Sequence, residues 1–345
     1  MNIKVSKILL LLLMFAFALS NCSGQKSKKP ENITKSEYAI VIHGGAGNFS
    51  LDDISKERQI EYQEKLKESL LAGKKVLKSN GSAIDAVEAC INILEDSPLF
   101  NAGKGSVFTH SGTNEMDASI MNGNNRNVGA VAGVKHIKNP ISGARAVMEK
   151  SKHVMLSGDG ADRFAASVGL DTVAIDYFYT ERRWQQLQQI LKKEKQQGLN
   201  SKKGTVGCVV YDKNGNLAAG TSTGGMGNKM YGRIGDSPIV GCGSFADNNT
   251  CGISFTGHGE YIIRMVAAHD IAALMEYKNM DLKAAMTEVI LNKLKKIGGD
   301  AGAIGIDKNG NIEMIFNTTG MFRGFLKAGK EPEIFLDSSN TNRFK

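Results

Sequence analysis

The sequence of 345 residues has an ordinary globular composition, with 41% hydrophobic and 23% charged residues. These proportions exclude a wholly disordered chain, a collagen-like chain and a polytopic membrane protein. The formal net charge of +8 arises from 43 basic and 35 acidic residues, and no basic-aromatic binding module accompanies it. The charge therefore gives no reason to expect a nucleic-acid partner.

The chain begins with a segment typical of exported proteins. Two lysines precede an uninterrupted apolar run of 12 residues at 8–19, which is too short for a transmembrane helix of about 20 residues. The run leads into Leu-Ser-Asn-Cys at 19–22, which resembles a bacterial lipobox whose cysteine is lipidated, although Asn21 departs from the usual small residue. The alternative is ordinary secretion with cleavage near Ala18.

We therefore expect residues 1–21 to be a signal peptide and Cys22 to carry a lipid. Residues 22–36 are polar and rich in lysine, which is typical of a flexible tether. The mature protein is then expected in the periplasm or at the outer membrane of a bacterium. Its only membrane contact would be the lipid anchor at Cys22.

The four remaining cysteines show neither CxxC nor Cys/His metal spacing. Cys90 lies on the apolar face of a predicted helix, where a buried structural thiol is expected. An exported location permits a disulfide between Cys242 and Cys251, but we favour free thiols.

Hydrophobic periodicity predicts helices and strands in blocks along the first half of the chain. Ser82 and Asp85 form a capping box that predicts the start of a helix. A Lys/Gln/Arg-rich helix runs into the polar segment 198–203, the best candidate for an internal boundary. The predicted elements are a strand at 38–43, helices at 52–79 and from 82, a strand at 128–134, and helices at 141–151 and 179–197.

Strands dominate after this segment. Runs at 206–211 and 217–223 flank Asp-Lys-Asn-Gly-Asn, in which Asn-Gly is a strong hairpin signal, and the same five residues recur at 307–311. We expect two similar hairpins, stacked in one sheet or in facing sheets. The Asp-x-Asn-x-Asn spacing also suggests calcium, but Leu217 stands where an EF-hand loop needs glycine, so the turn is favoured.

Several common site motifs are absent from the sequence. The glycine-rich segments complete neither GxGxxG nor a P-loop, and neither GxSxG nor HExxH occurs. Helices at 52–96, 141–150 and 260–295 do not alternate singly with strands. This order favours a layered sandwich of sheets and helices over a doubly wound parallel fold.

The segment Gly-Thr-Val-Gly at 204–207 directly follows the polar run and opens a predicted strand. A threonine hydroxyl is a poor nucleophile unless a base adjoins it. If the chain were cut before Thr205, the freed α-amino group, with a pKa near 7.7–8.0 in peptides, would become that base. An isolated threonine in a strand is usually structural, so this hypothesis depends on the residues around it.

Six segments together resemble the plant-type asparaginase/isoaspartyl peptidase family. They occur in the order and spacing of that family, and the resemblance covers about residues 38 to 325. The segments are His-Gly-Gly-Ala-Gly at 43–47, Pro-Leu-Phe-Asn-Ala-Gly at 98–103, Gly-Thr-Val-Gly at 204–207, Thr-Ser-Thr-Gly-Gly-Met at 221–226, Gly-Arg-Ile-Gly-Asp-Ser-Pro at 232–238 and Thr-Gly-His-Gly-Glu at 256–260.

The resemblance implies an N-terminal-nucleophile hydrolase of the α+β class with a four-layer αββα sandwich. Such enzymes cleave themselves before the threonine. Residues 37–345 would then be a single hydrolase domain, cut between Gly204 and Thr205 into chains 37–204 and 205–345. The family implies a homodimer of cleaved protomers.

The resemblance also assigns roles to single residues. Thr205 would be the nucleophile and its freed amine the base, Thr223 would position both the nucleophile and the scissile carbonyl, and Asn101 would support the threonine. Thr256 and the Gly257 N–H would form the oxyanion hole. Substrate-binding roles fall on Arg233 for the α-carboxylate and on Asp236 and the Gly259 carbonyl for the α-ammonium.

No cofactor is expected for the chemistry, but the family implies a structural Na⁺ bound by main-chain carbonyls. These would be the carbonyls of Leu94, Glu95, Ser97, Phe100, Ala102 and Lys104.

The expected activity is hydrolysis of β-aspartyl (isoaspartyl) dipeptides and L-asparagine. Both substrates present a side-chain β-amide beside a free α-amino acid. One alternative is a glycosylasparaginase acting on glycan-linked asparagine, although the start His43-Gly44-Gly45 favours the isoaspartyl branch. The other is a lipid-anchored binding protein that keeps the fold without turnover.

Overall fold

Two stacked β-sheets organise the computed structural model, which describes residues 37–197 and 204–337. The predicted signal peptide, tether and Cys22 lie outside the described residues, as does the polar run 198–203. The described residues belong to one compact unit. The strands are β1 (Ala39–Gly47), β2 (Met116–Asn122), β3 (Val128–Val134), β4 (Met155–Ser157), β5 (Val206–Tyr211), β6 (Leu217–Thr223), β7 (Ser244–Ala246), β8 (Cys251–Gly257), β9 (Ala301–Asp307), β10 (Ile312–Phe316), β11 (Gly320–Lys327) and β12 (Glu333–Phe335).

The larger sheet has the strand order β12-β11-β1-β5-β6-β2-β3-β4, and the smaller sheet has the order β10-β9-β8-β7. The central pairs β1–β5, β5–β6 and β6–β2 are antiparallel. The two sheets face each other through β1, β5 and β6 on one side and β8 and β9 on the other.

Helices cover the outer face of each sheet. The four helices between residues 56 and 167 pack on the larger sheet, and those after β8 pack on the smaller one. The helices are α1 (Lys56–Lys78), α2 (Ala83–Glu95), α3 (Pro140–Lys150), α4 (Gly158–Ser167), α5 (Glu181–Gln197), α6 (Gly259–Met265), α7 (Ala267–Lys278) and α8 (Leu282–Thr287), which continues as the π-helical segment Glu288–Leu294.

The central strands are apolar on both faces because each face meets a different layer. Ile40 and Ile42 of β1 pack with the outer helices, whereas Ala39 and Val41 face the smaller sheet. All of β5 and β6 is buried in the same way. Such a strand lacks the apolar/polar alternation of a half-exposed strand. The four layers therefore confirm the predicted αββα sandwich and its α+β class.

Most predicted elements are confirmed, with differences at their ends. The capping box of Ser82 and Asp85 begins α2 as predicted. The first helix, α1, begins four residues later than predicted, at Lys56 instead of residue 52. Ser55 caps its N-terminus, and a short 3₁₀ turn precedes it. The predicted helical block after residue 260 is interrupted at Val266 and Asn279, both of which adopt the left-handed conformation.

The hairpin β5–β6 lies in the larger sheet and the hairpin β9–β10 in the smaller one. Of the two arrangements that the repeated turn allowed, facing sheets are the observed one. The cysteines of the described residues are all free and buried, so no disulfide joins Cys242 and Cys251. None of the helices in the described ranges is long and apolar enough to cross a membrane.

Candidate active site

Thr205 lies at the start of β5, opposite Thr223 at the end of β6. The register pairs Val206 with Ser222, and continuing it by one residue brings the two threonines together. The Thr205 hydroxyl donates a hydrogen bond to Thr223 Oγ1 at 3.2 Å, and both side chains are buried. The hairpin thus places two hydroxyl groups beside the Gly204–Thr205 peptide bond.

The carbonyl oxygen of Gly204 is held by two donors. Thr223 Oγ1 donates to it at 3.0 Å and Asn101 Nδ2 at 2.8 Å. Donors aimed at a carbonyl oxygen polarise it and stabilise the negative charge that develops when a nucleophile attacks its carbon. The two donors are therefore placed where they would stabilise such a charge on the peptide bond before Thr205.

Asn101 is itself fixed in place by its own loop and by the end of the hairpin. Its Oδ1 accepts from the Val107 N–H at 2.9 Å, and its Nδ2 also donates to the Gly225 carbonyl at 2.7 Å. Its backbone carbonyl accepts from the Gly224 N–H. Because every polar atom of the side chain is bonded, the amide cannot rotate away without losing several hydrogen bonds.

The sequence motifs predicted no catalytic role for His43, which the structure places next to Thr205. Its Nδ1 lies 3.0 Å from the Thr205 carbonyl oxygen and its Nε2 lies 3.0 Å from Ser254 Oγ. Burial lowers the pKa of His43 to about 3, so the ring is neutral at physiological pH. The ring ties β1 to β5 and, through Ser254, to the smaller sheet.

A small pocket opens beside the two threonines and contains the predicted substrate-binding residues. Its free volume is about 10 Å³, which is room for about one water molecule. Gly204 forms part of its wall, so the intact chain itself fills this side of the pocket. The lining residues are Gly204, Thr205, Thr223, Gly225, Met226, Arg233, Gly235, Asp236, Ser237 and Gly257.

Arg233 and Asp236 both reach this pocket, but they do not bond each other. The Arg233 guanidinium instead donates in a fork to Glu260, at 2.9 and 3.0 Å. Gly259 permits this approach, since a Cβ there would lie 2.8 Å from both Arg233 Nη2 and Asp236 Oδ1. The sequence motifs predicted no role for Glu260, although it is the last residue of the motif at 256–260.

Asp236 is buried, and its Oδ2 has no hydrogen-bond partner among the described residues. Burial raises the pKa of Asp236 to about 7, although the nearby Arg233 opposes this shift. An unpartnered buried carboxyl group is costly unless a ligand satisfies it. A cationic group such as an ammonium ion would both supply a donor and favour the ionised carboxylate.

The predicted oxyanion hole is only partly assembled around the intact chain. Gly257 lines the pocket, but the Thr256 hydroxyl accepts a hydrogen bond from the Ala46 N–H at 3.3 Å. Among the described contacts, the carbonyl of Gly204 is held by Asn101 and Thr223 rather than by Thr256. The role of Thr256 and Gly257 toward a substrate remains a prediction.

The loop predicted to bind Na⁺ packs its carbonyls closely. A Cβ at Gly103 would lie 2.3 Å from the Glu95 carbonyl oxygen, and one at Gly105 would lie 2.0 Å from the Phe100 carbonyl oxygen. Carbonyl oxygens suit a hard cation, but two of the predicted ligands already accept N–H donors, Ala102 from Gly105 at 3.2 Å and Leu94 from Ser97 at 3.3 Å. Such an ion would support the Asn101 loop and would supply no reactive group. The ion stays a prediction.

Comparison with known proteins agrees with this geometry. The chain matches the asparaginase family over residues 36–336. It belongs to this family. It is 48% identical over 322 residues to a putative isoaspartyl peptidase/L-asparaginase from Dictyostelium discoideum, covering 83% of this chain and 92% of that protein.

Two further relatives are similar over comparable lengths. An isoaspartyl peptidase from Escherichia coli (strain K12) is 46% identical over 306 residues, which covers 85% of this chain and 94% of the relative. A plant-type L-asparaginase from Pyrococcus abyssi (strain GE5 / Orsay) is 43% identical over 312 residues, covering 86% and 98%. The family and these relatives make the chain a hydrolase, which disfavours the alternative of a binding protein without turnover.

Proposed function

We propose that this protein is a self-processing amidohydrolase that cleaves β-aspartyl dipeptides and L-asparagine with Thr205 as its nucleophile. The observation that carries the proposal is the contact set at the Gly204–Thr205 bond. The Thr205 hydroxyl donates a hydrogen bond to Thr223 Oγ1 at 3.2 Å. Thr223 and Asn101 both donate to the Gly204 carbonyl oxygen, whose carbon would be attacked. The similarity to an isoaspartyl peptidase/L-asparaginase and to an isoaspartyl peptidase supports the substrate class.

Self-cleavage follows from this arrangement in two steps. Thr205 Oγ1 attacks the Gly204 carbonyl carbon, and the negative charge on the oxygen is stabilised by Asn101 and Thr223. The C–N bond then breaks as the proton given up by Oγ1 is transferred to the Thr205 nitrogen, so the acyl group has moved from nitrogen to oxygen. Water hydrolyses this ester and leaves a Gly204 carboxylate and a free Thr205 amine.

Turnover reuses the same hydroxyl. The freed Thr205 amine accepts the proton of Oγ1 as the oxygen attacks the β-carbonyl of the substrate, and then protonates the departing amine. Water hydrolyses the β-aspartyl ester, and aspartate leaves. Thr256 and the Gly257 N–H are proposed to bind the oxyanion in this second reaction, once Gly204 no longer fills the pocket.

Substrate recognition is proposed to use the Arg233–Asp236 pair. The α-carboxylate of the substrate takes the Arg233 fork that Glu260 occupies in the free protein, because both are carboxylates of the same bidentate geometry. The α-ammonium is bound by Asp236 and the Gly259 carbonyl. Since Asp236 must be ionised for this, kcat/KM should rise with pH through about 7.

Intact mass measurement and N-terminal sequencing test the self-cleavage. The purified protein should give two chains, one of which begins at Thr205, and Thr205→Ala should remain a single chain. Efficient cleavage at this bond in Thr205→Ala would show that another group performs it.

Hydrolysis assays test the substrate class. β-Asp-Leu and L-asparagine should be cleaved, whereas α-Asp-Leu should not, because it has no free α-carboxylate beside the scissile bond. Arg233→Lys should still cleave itself but lose most turnover, since an ammonium cannot reproduce the guanidinium fork. Faster turnover of glycan-linked asparagine than of β-Asp-Leu would instead favour the glycosylasparaginase alternative.

We also propose that the mature protein is exported and anchored by a lipid on Cys22, as a homodimer of cleaved protomers. The support is the charged start and apolar run of residues 1–19, the lipobox-like residues 19–22 and the resemblance to a family that forms dimers. Metabolic labelling with a fatty acid, compared between the wild type and Cys22→Ala, tests the anchor. Size-exclusion chromatography with light scattering tests the dimer.

A further inference from the structure

We propose that the large cleft beside Gly204 binds the carboxylate of the amino acid released from an isoaspartyl dipeptide. The inference rests on the proposed function and extends it to the leaving group. The cleft has a volume of about 450 Å³. Among the residues lining it, Gly204 alone also lines the small pocket that contains Arg233 and Asp236.

The position of the freed amine explains why the leaving group belongs on this side. Cleavage of the Gly204–Thr205 bond and departure of the Gly204 carboxylate from this position expose the Thr205 nitrogen, and this amine must protonate the departing nitrogen of the substrate. Proton transfer requires the two nitrogens to lie within hydrogen-bond reach. The departing amine therefore lies in the space that Gly204 fills in the intact chain, at the border of the cleft.

The cleft carries a surplus of positive charge. Its charged lining residues are Asp53, Arg58, Arg182 and Arg183. Arg58 pairs with Glu61. By contrast, neither Arg182 nor Arg183 has a carboxylate oxygen within 4.0 Å among the described residues.

Arg182 is held firmly although it has no anionic partner. Its guanidinium donates to the Pro98 and Leu99 carbonyls at 2.8 and 2.9 Å, which ties it to the loop whose Asn101 binds the scissile carbonyl. Arg183 is buried and donates to the Gly105 carbonyl at 2.7 Å. Burial, together with the adjacent charge of Arg182, lowers the pKa of Arg183 to about 9, which leaves it charged at neutral pH.

An anion is the ligand that such a site favours, because two guanidinium groups on one wall repel each other until a carboxylate neutralises them. A dipeptide leaving group carries a carboxylate, whereas L-asparagine releases only ammonia. The cleft also has an aromatic part next to Arg182, whose Nη1 donates to Tyr62 Oη at 3.4 Å, and there Phe322 packs against Phe49 and Tyr62 at ring-centroid distances of 4.8 and 4.4 Å. These rings suit an apolar side chain on the leaving amino acid.

The test compares β-Asp-Leu with β-Asp-Leu-amide, which contains the same scissile bond without the terminal charge. We expect the wild type to hydrolyse the acid at least tenfold more efficiently than the amide by kcat/KM at low ionic strength. The ratio should fall toward one in Arg182→Gln and, through screening, in high salt. Arg182→Lys, which keeps the charge, should retain most of the preference. Arg163→Gln removes an arginine outside the cleft and should keep the wild-type ratio.

The outcomes separate the cleft from the proposed function. Equal kcat/KM for the acid and the amide in the wild type, or an unchanged ratio in Arg182→Gln, overturns the cleft assignment. Equal kcat/KM values would be expected, for example, if the new Gly204 carboxylate occupied the cleft in place of the leaving group. If Arg182→Gln does not fold, the salt dependence of the wild-type ratio decides alone. Failure of the self-cleaved wild type to hydrolyse either L-asparagine or β-Asp-Leu overturns the proposed function as well.

Discussion

The two hairpins of this protein share the turn Asp-Lys-Asn-Gly-Asn, and their local structures are nearly the same. Asp212 Oδ1 accepts from two turn N–H groups at 2.9 and 3.0 Å, and Asp307 Oδ1 accepts from the equivalent groups at 2.8 and 2.9 Å. The turn glycines Gly215 and Gly310 have φ values of 82° and 81°. A positive φ at this position is what glycine permits at little cost.

The surroundings of the two hairpins differ. Thr223 and Thr318 occupy equivalent positions after the two turns. Thr223 bonds the Gly204 carbonyl and receives the Thr205 hydroxyl, whereas the Thr318 hydroxyl donates to the Gly320 carbonyl two residues away. The same short sequence thus forms the same turn twice. The first hairpin differs from the second because it pairs with β1 in the same sheet and is bonded to Asn101 through Gly224 and Gly225.

The largest expected effect is on the rate of self-cleavage, when the equivalent threonines Thr223 and Thr318 of the two hairpins are each replaced. Thr223→Val removes a donor to the Gly204 carbonyl and the acceptor of the Thr205 hydroxyl while keeping the side-chain shape. We expect self-cleavage to slow on the order of 100-fold or more, since loss of one oxyanion donor costs about that much. Thr318→Val should cleave at the wild-type rate. The time course of chain separation on denaturing gels measures both variants.

Equal cleavage rates for Thr223→Val and the wild type would show that Asn101 alone activates the bond. Slow cleavage in Thr318→Val would show that the second hairpin affects the site through the smaller sheet. Either result would contradict the contrast drawn between the two hairpins.

A smaller effect concerns His43, which contacts the first hairpin through Thr205. Its pKa is about 3 in the folded protein and about 6.5 in an unfolded chain, so the unfolded state binds the proton more readily as pH falls. Protonation of His43 should therefore cost stability below pH 6.5, about 2–3 kcal/mol by pH 4.5. His43→Gln should lose less stability than the wild type over this pH range.

Urea unfolding at pH 6.5 and 4.5 measures the difference, in the Thr205→Ala background so that every protein unfolds as one chain. His153→Gln, which replaces an exposed histidine, is the matched control and should show the wild-type pH dependence. The same loss in His43→Gln as in the wild type would mean that His43 is not the group that takes up the proton.

The smallest expected effect is a difference in folding stability between variants of the two turn aspartates, Asp212 and Asp307. Asp212 has one contact that Asp307 lacks, because its Oδ2 accepts from the Ala83 N–H at the start of α2, at 3.3 Å. Capping a helix N-terminus is worth about 1 kcal/mol. Asp212→Ala should therefore be about 1 kcal/mol less stable than Asp307→Ala. Urea unfolding in the same Thr205→Ala background measures the stability of the two variants. Equal stabilities would show that the contact between Asp212 and the Ala83 N–H does not stabilise the protein.

The sequence by itself predicted the features that depend on neighbours along the chain. Both turns, the capping box of α2 and the strands on either side of residues 212–216 follow from local conformational preference. The Gly204–Thr205 bond and the residues around it were found because the motifs lie in a family-specific order. The block order of helices and strands favoured a layered sandwich, and the resemblance to the family implied its four-layer αββα arrangement.

Only the tertiary structure decided which polar groups meet. Arg233 and Asp236 are three residues apart and of opposite charge, yet Arg233 bonds Glu260, which a different element brings to it. His43 joins Thr205 and Ser254 across separations of 162 and 211 residues. Hydrogen bonds of about 3 Å depend on the register of paired strands and on the packing of two sheets. No local pattern encodes those distances, because each is set by many residues that are remote in the chain.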